Sequence, residues 1–198
     1  MKIKLLFISL ITTLQLSAQS YQKIHNNAIF VDTHNDFLTQ TMEKGFVFDT
    51  DLKGITHSDL NRMKEGSVDV QFFSVWSDGD QLNPYAFANR QLDSLDAVIQ
   101  RNPSKIVKVA NTKKLLKTVM QHKIAALVGL EGGHQIENDL DKMEALYNRG
   151  VRYITLTWNN STPWATSASD ETNLEGSKNS EGKKGLTVFG KKVIQKMN

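Results

Sequence analysis

The sequence predicts an α/β fold, the N-terminal half of a (β/α)8 TIM-type barrel, and three observations predict it. Short apolar runs rich in Val, Ile and Phe alternate with segments of helical periodicity. The runs are apolar almost throughout, as in strands covered on both faces. The alternation gives four strand–helix units, about half the content of a barrel that usually needs roughly 250 residues. A doubly wound open sheet is the other arrangement, but no Gly-rich dinucleotide fingerprint follows the first run.

The strands are expected at 28–31, 68–76, 124–130 and 152–158. Residues 104–110 form a weaker fifth candidate, an edge strand or an extended connection. Helices fill the gaps. A short one is expected at 58–64, and a longer one at 84–100 carries Phe87, Leu92, Leu95 and Ile99 on one stripe. Asn111 or Thr112 caps a helix running to 122, with Leu115, Leu116 and Val119 inward. Asn138 opens another, lined by Leu140, Met143, Leu146 and Tyr147 and ended by Gly150. The last covers 187–197. Residues 166–184 are rich in Ser, Asn, Glu and Gly and read as a long surface loop.

The chain has 198 residues, and its start stands apart. Lys2 and Lys4 precede an apolar stretch at 5–14, and Leu16, Ser17 and Ala18 offer a processing site. This predicts a secretory signal peptide at 1–18, cut after Ala18, and an exported mature domain at 19–198, periplasmic or extracellular. The apolar stretch is too short for a bilayer core of roughly 30 Å, so no transmembrane span is expected in the mature chain. Losing the two leader lysines lowers the formal charge from +3 to +1, and no basic stripe remains to suggest nucleic acid. There is no cysteine, hence no disulfide, no thiol nucleophile and no lipid anchor on sulfur.

Chemistry concentrates where the runs end. The first is followed by His34-Asn35-Asp36; in an extended segment that spacing puts an imidazole and a carboxylate on one face, a pair suited to Zn²⁺. The alternative is a turn in which Asp36 caps a helix and His34 is merely exposed. The third run ends in Glu131-Gly132-Gly133-His134. A carboxylate after a wholly apolar strand belongs at a barrel mouth, where a metal offsets the cost of burying it. A loop glutamate beside a glycine turn is the plain alternative, and His134 could support the site or satisfy backbone carbonyls. The fourth run ends at Trp158, in a polar-aromatic cluster suited to a substrate pocket, whereas Trp164 reads as a core anchor. His25, His57 and His122 lie in or beside helical segments and are not expected as ligands. No G-x-S-x-G elbow and no P-loop is present.

Six pieces in this order resemble the membrane (renal) dipeptidase family of zinc peptidases: 31–36, 71–75, 129–134, 152–157, 162–165 and 185–190. The resemblance spans roughly residues 24–198. It implies a (β/α)8 barrel, with His34 and Asp36 as ligands of one zinc and Glu131 as the catalytic carboxylate bridging two. A hydroxide held between two zinc ions, roughly 3.5 Å apart, then attacks the scissile carbonyl of a dipeptide. Dipeptides with a C-terminal D-residue are among the implied substrates. Two departures stand out. Trp158 occupies the place of the family's substrate-contacting histidine, and an indole donates one hydrogen bond but cannot titrate as an imidazole does. The second zinc's two histidines and the acid–base aspartate would lie beyond Asn198, so the chain reads as an inactive fragment with two open sheet edges. The rival expectations are a barrel amidohydrolase acting on cyclic amides and an exported non-catalytic binding protein on the same barrel.

Overall fold

The apolar runs become five strands of one parallel sheet in the computed structural model, which describes residues 21–173, 179 and 181–198. The expected signal peptide lies outside the described residues. The strands are β1 (Val31–Asp32), β2 (Val70–Trp76), β3 (Ile106–Lys108), β4 (Ile124–Glu131) and β5 (Val151–Thr155). β4 is the hub. One edge pairs with β2 along almost its whole length. The other takes β3 at Ile124–Ala126 and β5 from Val128 onward, with a register shift between Val128 and Gly129. The weak candidate at 104–110 is therefore a strand, kept short because β5 takes over the same edge. β1 pairs with β2 through two residues only, and Ile29 and Phe30 stay exposed rather than extending it.

Among the described residues the α-helices are α1 (Phe37–Lys44), α2 (Leu60–Glu65), α3 (Pro84–Arg101), α4 (Thr112–Met120), α5 (Leu140–Asn148), α6 (Ala168–Asn173) and α7 (Val188–Met197). Several start where a short polar side chain satisfies free amides: Asp59, Asn111, Asp139 and Thr187 accept from N–H groups of α2, α4, α5 and α7. Two helices were not expected. α1 carries two threonines, which weaken its helical signal, and it ends at Gly45 in the left-handed conformation. α6 falls inside the expected surface loop; Ser167 Oγ accepts from the Asp170 amide at 3.0 Å, and Asp170 and Glu171 lie in its first turn.

Side chains of β2 and β4 alternate between two faces. Phe73 and Val75 join Ile124, Ala126, Val128 and Leu130 on one face, packed against α1, α3 and α5 in the main core. The other face is built of cross-strand pairs: Val70 with Ala125, Phe72 with Leu127, Ser74 with Gly129, Trp76 with Glu131. Leu115 and Val119 of α4 cover its N-terminal end, beside Val70, Val109, Ala125 and Leu127. Its C-terminal end carries the polar residues. Among the described residues no helix is long and apolar enough to cross a membrane.

Candidate metal centre

Glu131 is the last residue of β4, on the second face, opposite Trp76 of β2 and Thr155 of β5. His34 and Asp36 reach it from the loop after β1. That loop is not the extended strand expected at the sequence level, since β1 stops at Asp32. It is a turn fixed by side chains. Asp32 Oδ1 accepts from the His34 amide at 3.2 Å, and Asn35 Oδ1 from the Phe37 amide at 2.9 Å. The Asn35 carbonyl accepts from the Ser74 amide at 2.9 Å, which fastens the turn to β2. Asp36 occupies the N-cap of α1 but its side chain makes no capping bond. Its carboxylate is left to face His34.

His34 Nε2 lies 3.1 Å from Asp36 Oδ1 and 3.1 Å from Glu131 Oε2. One ligand atom from each of the three residues lies within 4.8 Å of the other two. One imidazole nitrogen with two carboxylate oxygens is a donor set for Zn²⁺ or a similar divalent ion, and a shared cation offsets the repulsion between the carboxylates. His25, His57, His122 and His134 are not in this group.

The neighbours of Glu131 hold it in place. Ser74 Oγ donates to Glu131 Oε2 at 3.0 Å from the adjacent strand. Gln135 Nε2, fully buried, donates to the carbonyls of Val75 and Glu131, both at 2.9 Å, tying the ends of β2 and β4 together. Gly132 turns the chain with φ +112, and a Cβ there would collide with the His134 ring. His134 does not reach the donor group. Its Nε2 meets Ser77 Oγ at 3.0 Å, and burial pushes its pKa below the ordinary imidazole value, against hydrogen bonding at Ser77 and Asp78.

Tyr153 of β5 lies in register with Gly129, and its ring crosses β4 over that glycine: a Cβ there would fall inside the phenol. The ring packs 5.8 Å from Phe72. Burial, then the negative charges of Glu131 and Asp36, hold its phenol above its ordinary range. Above it Trp76 and Trp158 stack edge to face, with centroids 5.0 Å apart. Trp158 is half-buried there, while Trp164 is a core residue packed against Phe189, as expected. A cavity of about 770 Å³ opens beside the donors, lined by His34, Asp36, Lys44, His57 and Arg62 among others. A second, of about 400 Å³, lies between α5, β5 and α7 and touches none of the three donors.

Comparison with known proteins identifies the family. The family model described as "Membrane dipeptidase (Peptidase family M19)" matches residues 18–198. The chain belongs to the membrane dipeptidase family. Dipeptidase 3 of Macaca fascicularis is 32% identical over 193 residues, covering 94% of this chain and 38% of that protein. Dipeptidase 3 of Rattus norvegicus is 34% identical over 182 residues, covering 85% and 34%. A solved metallopeptidase from Rhodobacter sphaeroides, liganded with a phosphinate mimic of the dipeptide L-Ala-D-Ala, superposes with a TM-score of 0.69 at 17% identity, over 84% of this chain and 54% of that one. The chain thus spans about a third of the length of these curated relatives and about half of the solved metallopeptidase. Its α/β architecture with a parallel sheet covers about half of the (β/α)8 barrel of the family.

The sequence pointed to His34, Asp36, Glu131 and Trp158 but not to Ser74, which donates to Glu131, to Tyr153, whose ring covers Gly129, or to Ser77, which meets His134. The sequence signal for Ser74 was weak: β2 carries two polar residues, Gln71 and Ser74, and only the register of the sheet sets Ser74 beside Gly129.

Proposed function

We propose that this chain carries the first metal-ligating half of an exported, zinc-dependent dipeptidase. The observation that carries the reading is the convergence of His34 Nε2, Asp36 Oδ1 and Glu131 Oε2 from two separate strand ends onto one point. Family membership supports a metal and a dipeptide substrate. His34, Asp36 and Glu131 would hold the ion. When bound, zinc supplies Lewis-acid polarisation of a carbonyl oxygen and lowers the pKa of a water. A second ion would need donors beyond His34, Asp36 and Glu131.

The chain's own residues do the rest. The Asp32–Asn35 turn aims the His34 ring. Trp76 and Trp158 form an aromatic wall at the mouth that excludes water from one side and presents apolar surface to a substrate side chain. The proposed domain division is a leader at 1–18 and the barrel domain at 19–198.

The test is hydrolysis of dipeptides, including ones with a C-terminal D-residue, by the full-length protein before and after chelation. We expect activity lost on chelation and restored by zinc. Activity indifferent to chelator would contradict the reading. Trp158, standing where the family has a histidine, favours a non-catalytic binding protein as the second reading. Retained dipeptide binding without turnover in the zinc-loaded full-length protein would select it.

A further inference from the structure

Ser74 bonds to both limbs of the donor group. Its amide donates to the Asn35 carbonyl at 2.9 Å, between His34 and Asp36 in sequence. Its hydroxyl donates to Glu131 Oε2 at 3.0 Å, the same oxygen that His34 Nε2 approaches at 3.1 Å. It does so from full burial, 0% exposed, in the middle of β2. A hydroxyl in that place is costly unless paired, and Glu131 is the partner it donates to.

The placement follows from the sheet. Ser74 pairs with Gly129, two residues before Glu131 on the same face, so its side chain reaches the carboxylate along the diagonal of the ladder. Gly129 keeps this space open. Any larger residue would drive the Tyr153 ring out of its position over β4. The row Ser74–Gly129–Tyr153 thus forms a floor under the row Trp76–Glu131–Thr155. On that floor Ser74 is the group hydrogen-bonded to a donor residue.

We propose that Ser74 is a positioning residue for the metal centre, fixing Glu131 Oε2 beside His34 and Asp36 through its hydroxyl while its amide fixes the turn that carries them. The proposal rests on the metal reading above and names a residue that this reading does not need. A carboxylate ligand held by a hydrogen bond keeps its orientation before the ion arrives, and loss of such a support typically weakens metal affinity 10- to 100-fold.

The test is zinc affinity of the full chain by calorimetric titration, for wild type, Ser74→Ala, Ser74→Thr, Glu131→Gln and the Ser74→Ala/Glu131→Gln double variant. Circular dichroism of the metal-free forms checks that each is folded. Ser74→Ala is expected to weaken zinc about 10- to 100-fold, and Ser74→Thr, which restores the hydroxyl, to recover most of that loss. In the Glu131→Gln background, the Ser74→Ala change is expected to cost less than threefold further, because the effect runs through the carboxylate. Equal losses in both backgrounds, or unchanged affinity in Ser74→Ala, would overturn the proposal while leaving the metal reading intact. No zinc binding by the wild type would overturn both.

Discussion

The two faces of β2 and β4 are made from the same strands but differ in kind. On the helix-covered face Phe73, Val75, Val128 and Leu130 are all 0% exposed and wholly apolar. On the opposite face the same stretch gives Phe72, Ser74, Trp76, Gly129 and Glu131, a mixture of aromatic, hydroxyl, glycine and carboxylate. The first face has one task, exclusion of water, and is filled to that end. The second gives up apolar packing for groups that must point at one place. The difference teaches that stability and site chemistry are divided between alternate residues of one strand, so each can be perturbed with little effect on the other.

Substitutions should expose that division, and the largest effect belongs to the covered face. Phe73→Ala removes a buried ring that packs edge-on against Phe48 at 5.3 Å. It should cost about 3–5 kcal/mol by denaturant unfolding, with zinc affinity of the remaining folded protein unchanged. A large affinity loss at full stability would erase the proposed division.

Gly129→Ala is next. Its new methyl displaces Tyr153, and overpacking of this kind costs about 1–3 kcal/mol. Here the second face is perturbed sterically, so a Gly129→Ala/Tyr153→Ala double variant should recover part of the loss. A double variant no better than the sum of the two single changes would show that the ring is not the obstacle.

His134 gives a smaller, pH-dependent effect. Burial lowers its pKa in the folded chain, so the unfolded chain takes up a proton first, near the ordinary imidazole value of about 6.5. Between that value and the lowered one, the unfolded state binds more protons, and stability falls as pH falls. Unfolding midpoints at about pH 7 and about pH 5 should differ more for the wild type than for His134→Asn. Identical slopes would mean that His134 is protonated with no penalty.

The smallest effect is expected at Asp36. Asp36→Asn removes one of two facing carboxylates and breaks no capping bond, so metal-free stability should stay within about 0.5 kcal/mol of wild type while zinc affinity collapses. A destabilisation of several kcal/mol would make Asp36 a structural residue after all.

These contrasts also explain what could be read from the sequence. The covered face was legible because its apolar runs need only be apolar, and the 124–130 run became β4 almost residue for residue. Glu131 and the His34/Asp36 pair were legible because charged groups at the ends of apolar runs must have a partner. The route by which the pair converges was not. Spacing suggested an extended strand, but Asp32 and Asn35 side chains bend the segment into a turn, and such local bonds compete with the ladder. α1 was missed for the same reason, since it begins where that turn ends. Ser74 and Tyr153 depend on register between strands far apart in sequence, Gly129 with Tyr153 and Ser74 with Gly129, which no single run encodes.

The central claim is that His34, Asp36 and Glu131 make one metal centre. Zinc content after equilibrium dialysis of the full chain and of His34→Ala, Asp36→Asn and Glu131→Gln tests it most directly. The account predicts bound zinc in the wild type and a loss in each variant that removes one of the three donors. Zinc retained at wild-type level in any of the three variants would contradict it.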